Sequence, residues 1–123
     1  MAIPPSGGQY EFSFEDQRAV IVEVGGGIRA YEWGGRPVLN PYDVDAMCDG
    51  AHGTPLIPWP NRLADGTYTF DGEKYEVALT EPSKHNAIHG FLRWRPWQAT
   101  EHEASRVVMS TTLYPMKGYP FTL

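Results

Sequence analysis

Apolar and polar residues alternate with a period of two along most of this chain, the pattern of strands that bury one face. Tyr10, Phe12 and Phe14 share one side of a first predicted strand, with Glu11, Ser13 and Glu15 opposite. Glu15-Asp16-Gln17 turns the chain into residues 19–24, an apolar run rich in β-branched side chains. A third strand is predicted over residues 28–33. Gly34-Gly35 then signals a tight hairpin into a short strand at residues 37–39. Residues 40–55 are polar, punctuated by Pro41, Gly50, Gly53 and Pro55, and read as a loop. Asp71-Gly72 is the clearest hairpin signal, flanked by predicted strands at 66–70 and 74–79. Residues 82–90 read as a second long loop. Residues 96–103 and 106–113 form a last predicted antiparallel pair, with Val107, Met109 and Leu113 on one face. Helical periodicity is not sustained in any window, so the expected class is all-β, an antiparallel β-sandwich.

Composition agrees with strands and tight turns: 13 glycines, 11 prolines and 13% aromatics, with 41% hydrophobic residues for a core. A chain of 123 residues makes one domain or part of a larger one. The net charge of −5 and the scattering of the ten Lys and Arg argue against a nucleic-acid partner. Residues 1–8 lack a cationic region followed by an apolar run, and no apolar stretch reaches membrane-spanning length. Cys48, the single cysteine, excludes an intrachain disulfide and a cysteine-based metal cluster. These features predict a cytoplasmic protein without membrane contact.

Several motifs fail on context. Gly25-Gly26-Gly27-Ile28-Arg29-Ala30 fits a dinucleotide-binding pattern, but that mechanism needs a helix where Tyr31-Glu32-Trp33 reads as strand. Asp43, Asp45 and Asp49 resemble the start of a calcium loop, yet Cys48 stands where glycine is required. His85 and His89 have zinc-like spacing, but their segment holds Pro82 and Gly90 and no amphipathic pattern, so no metal is expected. His89 is better read with Gly90, whose missing side chain admits a ligand or another strand. An imidazole donates and accepts hydrogen bonds near neutrality and suits hydroxyl-rich ligands or proton transfer. Arg62 follows Pro58-Trp59-Pro60-Asn61, a stiff segment able to fix its guanidinium toward ligand oxygens. The plainer alternatives are a surface salt bridge for Arg62 and a structural role for His89.

Pro58-Trp59-Pro60-Asn61-Arg62-Leu63 joins Gly26-Gly27-Ile28 upstream. Downstream stand Gly66 with Tyr68 and Phe70, Asp71-Gly72 with Tyr75, His89-Gly90 with Trp94, and Gly118-Tyr119-Pro120. In that order and spacing the chain resembles the N-terminal portion of the aldose 1-epimerase (galactose mutarotase-like) family. The resemblance implies a large antiparallel supersandwich of which residues 1–123 form the N-terminal part. It implies a cofactor-free isomerase that interconverts α and β anomers of an aldose by acid-base ring opening. His89 would be the first of two catalytic histidines, and Arg62, Asn61 and Trp94 would bind the sugar. The family's glutamate base, second histidine and sugar-binding aspartate belong to the later half, and His102 does not match that second histidine. Phe91-Leu92-Arg93-Trp94 also departs from the glycine-richer form of galactose mutarotases, pointing to the broader group.

The chain alone is therefore expected to be inactive. Two other readings stand beside this one: a non-catalytic carbohydrate-binding module using Trp59, Trp94 and Trp97, and a purely structural fragment. Residues 122–123 read as the start of a further strand, which predicts self-association through exposed strand edges.

Overall fold

A computed structural model describes residues 2–123, and the chain divides into two compact units. The first holds the residues up to Pro55 together with Arg93–Thr111, and the second holds Leu56–Leu92 and Thr112–Leu123. Every strand ladder in both is antiparallel. Regular helix is confined to two single-turn 3-10 segments, Pro82–Lys84 and Leu92–Trp94, among the described residues. No helix among them is long and apolar enough to cross a membrane.

In the first unit, β1 (Gln9–Phe14), β2 (Gln17–Val22), β3 (Ile28–Trp33) and β4 (Arg36–Pro37) form one sheet in sequence order. Glycine at both turn positions lets Gly34 and Gly35 take φ of +57° and +77°, the geometry a two-residue hairpin requires. The Gly25–Gly27 motif is likewise a turn, and it leads into strand β3 rather than a helix. The pairing of β2 with β3 slips after Val20, so that Val20 faces Ala30 and Ile21 faces Ile28. That bulge leaves Arg29 without an opposite residue, and its side chain donates to Gln9 Oε1 and the Tyr42 carbonyl.

On β1, Tyr10 and Phe12 are half-buried, whereas Glu11 and Ser13 on the opposite side are exposed. The deepest residues are Val20 and Val22 of β2, opposite Glu11 and Gln9 on the other face. The β2 run is apolar on both sides, and burial follows its β-branched side chains. Phe14 is 62% exposed. A cavity of about 440 Å³ opens beside Phe12, Phe14, Ala19, Ile21 and Tyr31 and contains none of the predicted site residues.

The strands of the second hairpin, later in the chain as β9 (Gln98–Glu103) and β10 (Arg106–Ser110), complete this unit. A register shift between Val108 and Met109 breaks the predicted alternation. Leu113 lies beyond the hairpin, fully buried in the second unit. Tyr42 sits in the loop after β4, where burial above all, then Cys48, pushes its hydroxyl up to about 12.

The second unit contains two ladders. β6 (Thr67–Phe70) and β7 (Glu73–Glu76) form the hairpin predicted around Asp71-Gly72, both residues with positive φ. β5 (Arg62–Ala64) pairs with β8 (Asn86–Ile88), in register Arg62 with Ile88 and Ala64 with Asn86. Sequence reading gave the segment 82–90 as a loop and placed no strand at Arg62. The ladder is a correction on both counts. Val77, Ala87, Leu92 and Leu113 are buried here, each worth up to roughly 1.5–3 kcal/mol for the larger side chains. Tyr68 donates from its hydroxyl to the Gly118 carbonyl at 2.6 Å, and Tyr119 and Phe121 pack at 5.1 Å between ring centres. Residues 122–123 form no strand, but Leu123 exchanges backbone hydrogen bonds with Leu113 in both directions.

Candidate functional site

Asn61, Arg62 and His89 come together in the second unit, where the proline-rich loop enters β5 and the chain leaves β8. The Ile57–Pro58 peptide bond is cis, and Trp59 is anchored by its edge against Phe91 at 4.9 Å and by donation to the Ala87 carbonyl. Asn61 and His89 then face each other with reciprocal bonds. The His89 N–H donates to the Asn61 carbonyl at 3.0 Å, and the Asn61 N–H donates to His89 Nδ1 at 2.9 Å. Both residues hold left-handed backbone, with φ of +62° and +61°. Asparagine and histidine tolerate that region better than most side chains, and such conformations cluster at functional sites.

The second of those bonds fixes the imidazole. Because Nδ1 accepts, the neutral ring carries its proton on Nε2, which makes that atom the ring's donor. Gly90 follows with φ of +68°, and an added Cβ would lie 2.0 Å from the Ile57 carbonyl oxygen. The close approach foreseen at Gly90 is therefore made by backbone: Ile57 and Gly90 form a bridge, and Phe91 N–H donates to Ile57 O.

Arg62 opens β5 with its side chain exposed. Its Nε donates to Glu81 Oε1 at 2.7 Å and its Nη2 to Glu81 Oε2 at 3.3 Å, while Nη1 reaches Asn61 Oδ1 at 3.5 Å. The hydrogen bond from Arg62 is the chief reason the Glu81 carboxyl titrates below its ordinary value. Glu81 was not among the residues singled out from the sequence. Nothing in the linear spacing links it to Arg62; only the unforeseen β5–β8 ladder does.

Other candidates fall elsewhere. Trp94 belongs to the first unit, 50% exposed, with the Arg93 guanidinium 4.8 Å from its ring centre. Trp59 is half-buried with its N–H engaged, which suits an anchor better than an open stacking platform. Trp97 packs in the first unit against Gly26, where an added Cβ would meet its ring at 2.6 Å. His85 caps the 3-10 turn in left-handed conformation and meets Asp65 at 2.6 Å, so it does not share a helical face with His89. His102, on β9, binds the Glu11 carbonyl. Among the described residues no three His, Cys, Asp or Glu side chains gather as a metal site needs.

On its antiparallel β framework the second unit thus presents a guanidinium held by Glu81 and a tautomer-locked imidazole. The sequence profile of the aldose 1-epimerase family matches residues 9–123, and the chain belongs to that family. It is 39% identical over 118 residues to the uncharacterised protein YihR of Escherichia coli (strain K12), covering 96% of this chain and 38% of YihR. The aldose epimerase homologue from C. elegans superposes with a TM-score of 0.78 at 18% identity, over 94% of this chain and 39% of that one. A putative aldose 1-epimerase from Escherichia coli K12 gives 0.73 at 21% identity, over 90% of this chain and 38% of its own. A galactose mutarotase-like protein from Clostridium acetobutylicum gives 0.71 at 24% identity, over 85% and 35%. These likenesses show the fold, the antiparallel β architecture of galactose mutarotase-like proteins. The chain spans less than two fifths of the length of each of these relatives.

Proposed function

We propose that residues 1–123 supply one sugar-contacting rim of a cytoplasmic aldose 1-epimerase, an isomerase that interconverts α and β anomers of an aldose. The carrying observation is the Asn61–His89 pair, whose reciprocal bonds fix the imidazole tautomer, with Arg62 Nη1 3.5 Å from Asn61 Oδ1. In this reading Arg62 and Asn61 hydrogen-bond sugar hydroxyls. His89 Nε2–H donates to oxygens near the anomeric carbon and supports the charge that develops as the ring opens.

Ring opening needs a base to take the anomeric hydroxyl proton and an acid to protonate the ring oxygen. Family resemblance puts the glutamate base, a second histidine and a sugar-binding aspartate in the later part of one β-sandwich domain, of which this chain is the N-terminal part. No cofactor or metal enters the reaction. The partner is a monosaccharide, and neither nucleic acid nor membrane is one. Copies of the chain associate through exposed strand edges.

Polarimetry of freshly dissolved α-glucose and α-galactose tests the reading. The expected result for this chain alone is the buffer rate. Chemical-shift changes at Asn61 and His89 on adding sugar, lost in Arg62→Ala, would support the rim. Acceleration abolished by His89→Ala would show a complete acid-base pair within the chain or its assembly, and would overturn the division of labour.

A further inference from the structure

Arg62 is an exposed side chain on a three-residue strand, yet its guanidinium is fixed. Two of its five N–H groups, one on Nε and one on Nη2, go to the two oxygens of one carboxylate. The backbone that carries the carboxylate is fixed in turn. Glu81 N–H and Thr80 N–H both donate to the Asn86 carbonyl, at 2.9 and 3.0 Å, and Lys84 N–H donates to the Glu81 carbonyl. The Thr80 hydroxyl accepts from Ile88 N–H at 2.8 Å. Ile88 is the register partner of Arg62, so the spacing between Arg62 and Glu81 is set by backbone on both sides. Pro82 further disfavours helical backbone at Glu81, which is observed at φ −120° and ψ 72°.

We propose that Glu81 is a positioning residue for ligand binding: it grips the Nε–Nη2 edge of Arg62 and turns the Nη1 side, beside Asn61, toward the ligand. The proposal deepens the sugar-binding reading and rests on Arg62 being a donor to ligand oxygens. An unheld arginine samples many rotamers and loses that freedom on binding, whereas a held one presents its donors in a set fork. Exposed ion pairs add little stability. The selective advantage of this one is geometric.

The test uses the whole chain with Glu81→Ala, Glu81→Gln and Arg62→Ala. Three quantities are compared with the parent: NMR exchange of the Arg62 Nε–H with water, the thermal midpoint, and amide shifts during titration with D-galactose and D-glucose. Glu81→Ala is expected to speed Nε–H exchange about tenfold, the effect of losing one charge-assisted hydrogen bond. It weakens the sugar response by a similar factor while leaving the midpoint nearly unchanged, and Glu81→Gln, which keeps an acceptor, lies between. Unaltered exchange in Glu81→Ala, or a sugar response equal to the parent's, would overturn the proposal. A parent without any sugar response, or an Arg62→Ala chain that keeps one, overturns the functional reading instead. In that case the exchange comparison still decides whether Glu81 holds Arg62.

Discussion

His89 has two distinct ring nitrogens: Nδ1 accepts from Asn61, and Nε2 carries the proton of the neutral ring. Asparagine tolerates left-handed backbone and has an acceptor near the Nδ1 position, but nothing equivalent to Nε2. His89→Asn should therefore unfold in urea close to the parent while losing its sugar response. His89→Ala loses the acceptor and the backbone tolerance together and should be less stable by about 1–2 kcal/mol. Glu81 gives a second expectation at this scale. Its carboxyl is held below the unfolded-state value of 4.5, chiefly by Arg62. A lowered folded-state value means that the pair's stabilisation is complete above 4.5 and disappears as pH falls through the folded value. The small midpoint difference between the parent and Glu81→Gln should be constant at neutral pH and vanish in strong acid. A difference that persists there would rule out the ion pair as its source. The motif residues Arg62 and His89 were legible because each sits beside proline or glycine that marks a shaped loop. Glu81 was not, since its role depends on a partner nineteen positions away across a ladder.

Among elements, the hairpins were legible and the site's own ladder was not. Gly34-Gly35 and Asp71-Gly72 declare themselves because few other residues accept positive φ at both turn positions. β5 and β8 are three residues each, too short for alternation to register. β8 also follows a 3-10 turn that ends in left-handed His85, so its surroundings read as loop. The glycines separate local from tertiary demands. Gly72 has φ of +79° with nothing near an added Cβ, so Gly72→Ala should cost about 1 kcal/mol from backbone strain alone. Gly90 has similar φ, but its added Cβ would collide with Ile57 and Pro58 backbone, which cannot move without opening the site loop. Gly90→Ala should cost about 3 kcal/mol or more. Urea unfolding of the two variants measures the contrast; equal losses would mean that the Ile57–Gly90 approach is not tight in solution.

At the scale of the molecule, period-two patterning made the all-β class legible but not the depth to which each strand is buried. In the first sheet the deepest residues are Val20 and Val22 of the two-sided apolar strand β2, while Phe14 at the end of the aromatic side of β1 stays open. Openness of that kind bears on association. Phe14 and Trp33 are each 62% exposed on the first sheet, and the β6–β7 and β5–β8 ladders are only two strands wide. Narrow ladders leave outer edges able to pair with another copy, and exposed aromatic surface favours the same outcome. Sedimentation should therefore give a concentration-dependent mass above the 13.8 kDa of one chain, and replacing Phe14 by lysine should shift it downward if the aromatic face takes part. A strictly monomeric chain would remove the edge-pairing proposal and leave Phe14 and Trp33 as isolated exposed residues. The same sample placed in the polarimeter links association to chemistry. Acceleration that rises with the associated fraction would mean that neighbouring copies complete the acid-base pair. Association without acceleration would show that covering the edges stabilises the fold without assembling an acid-base pair.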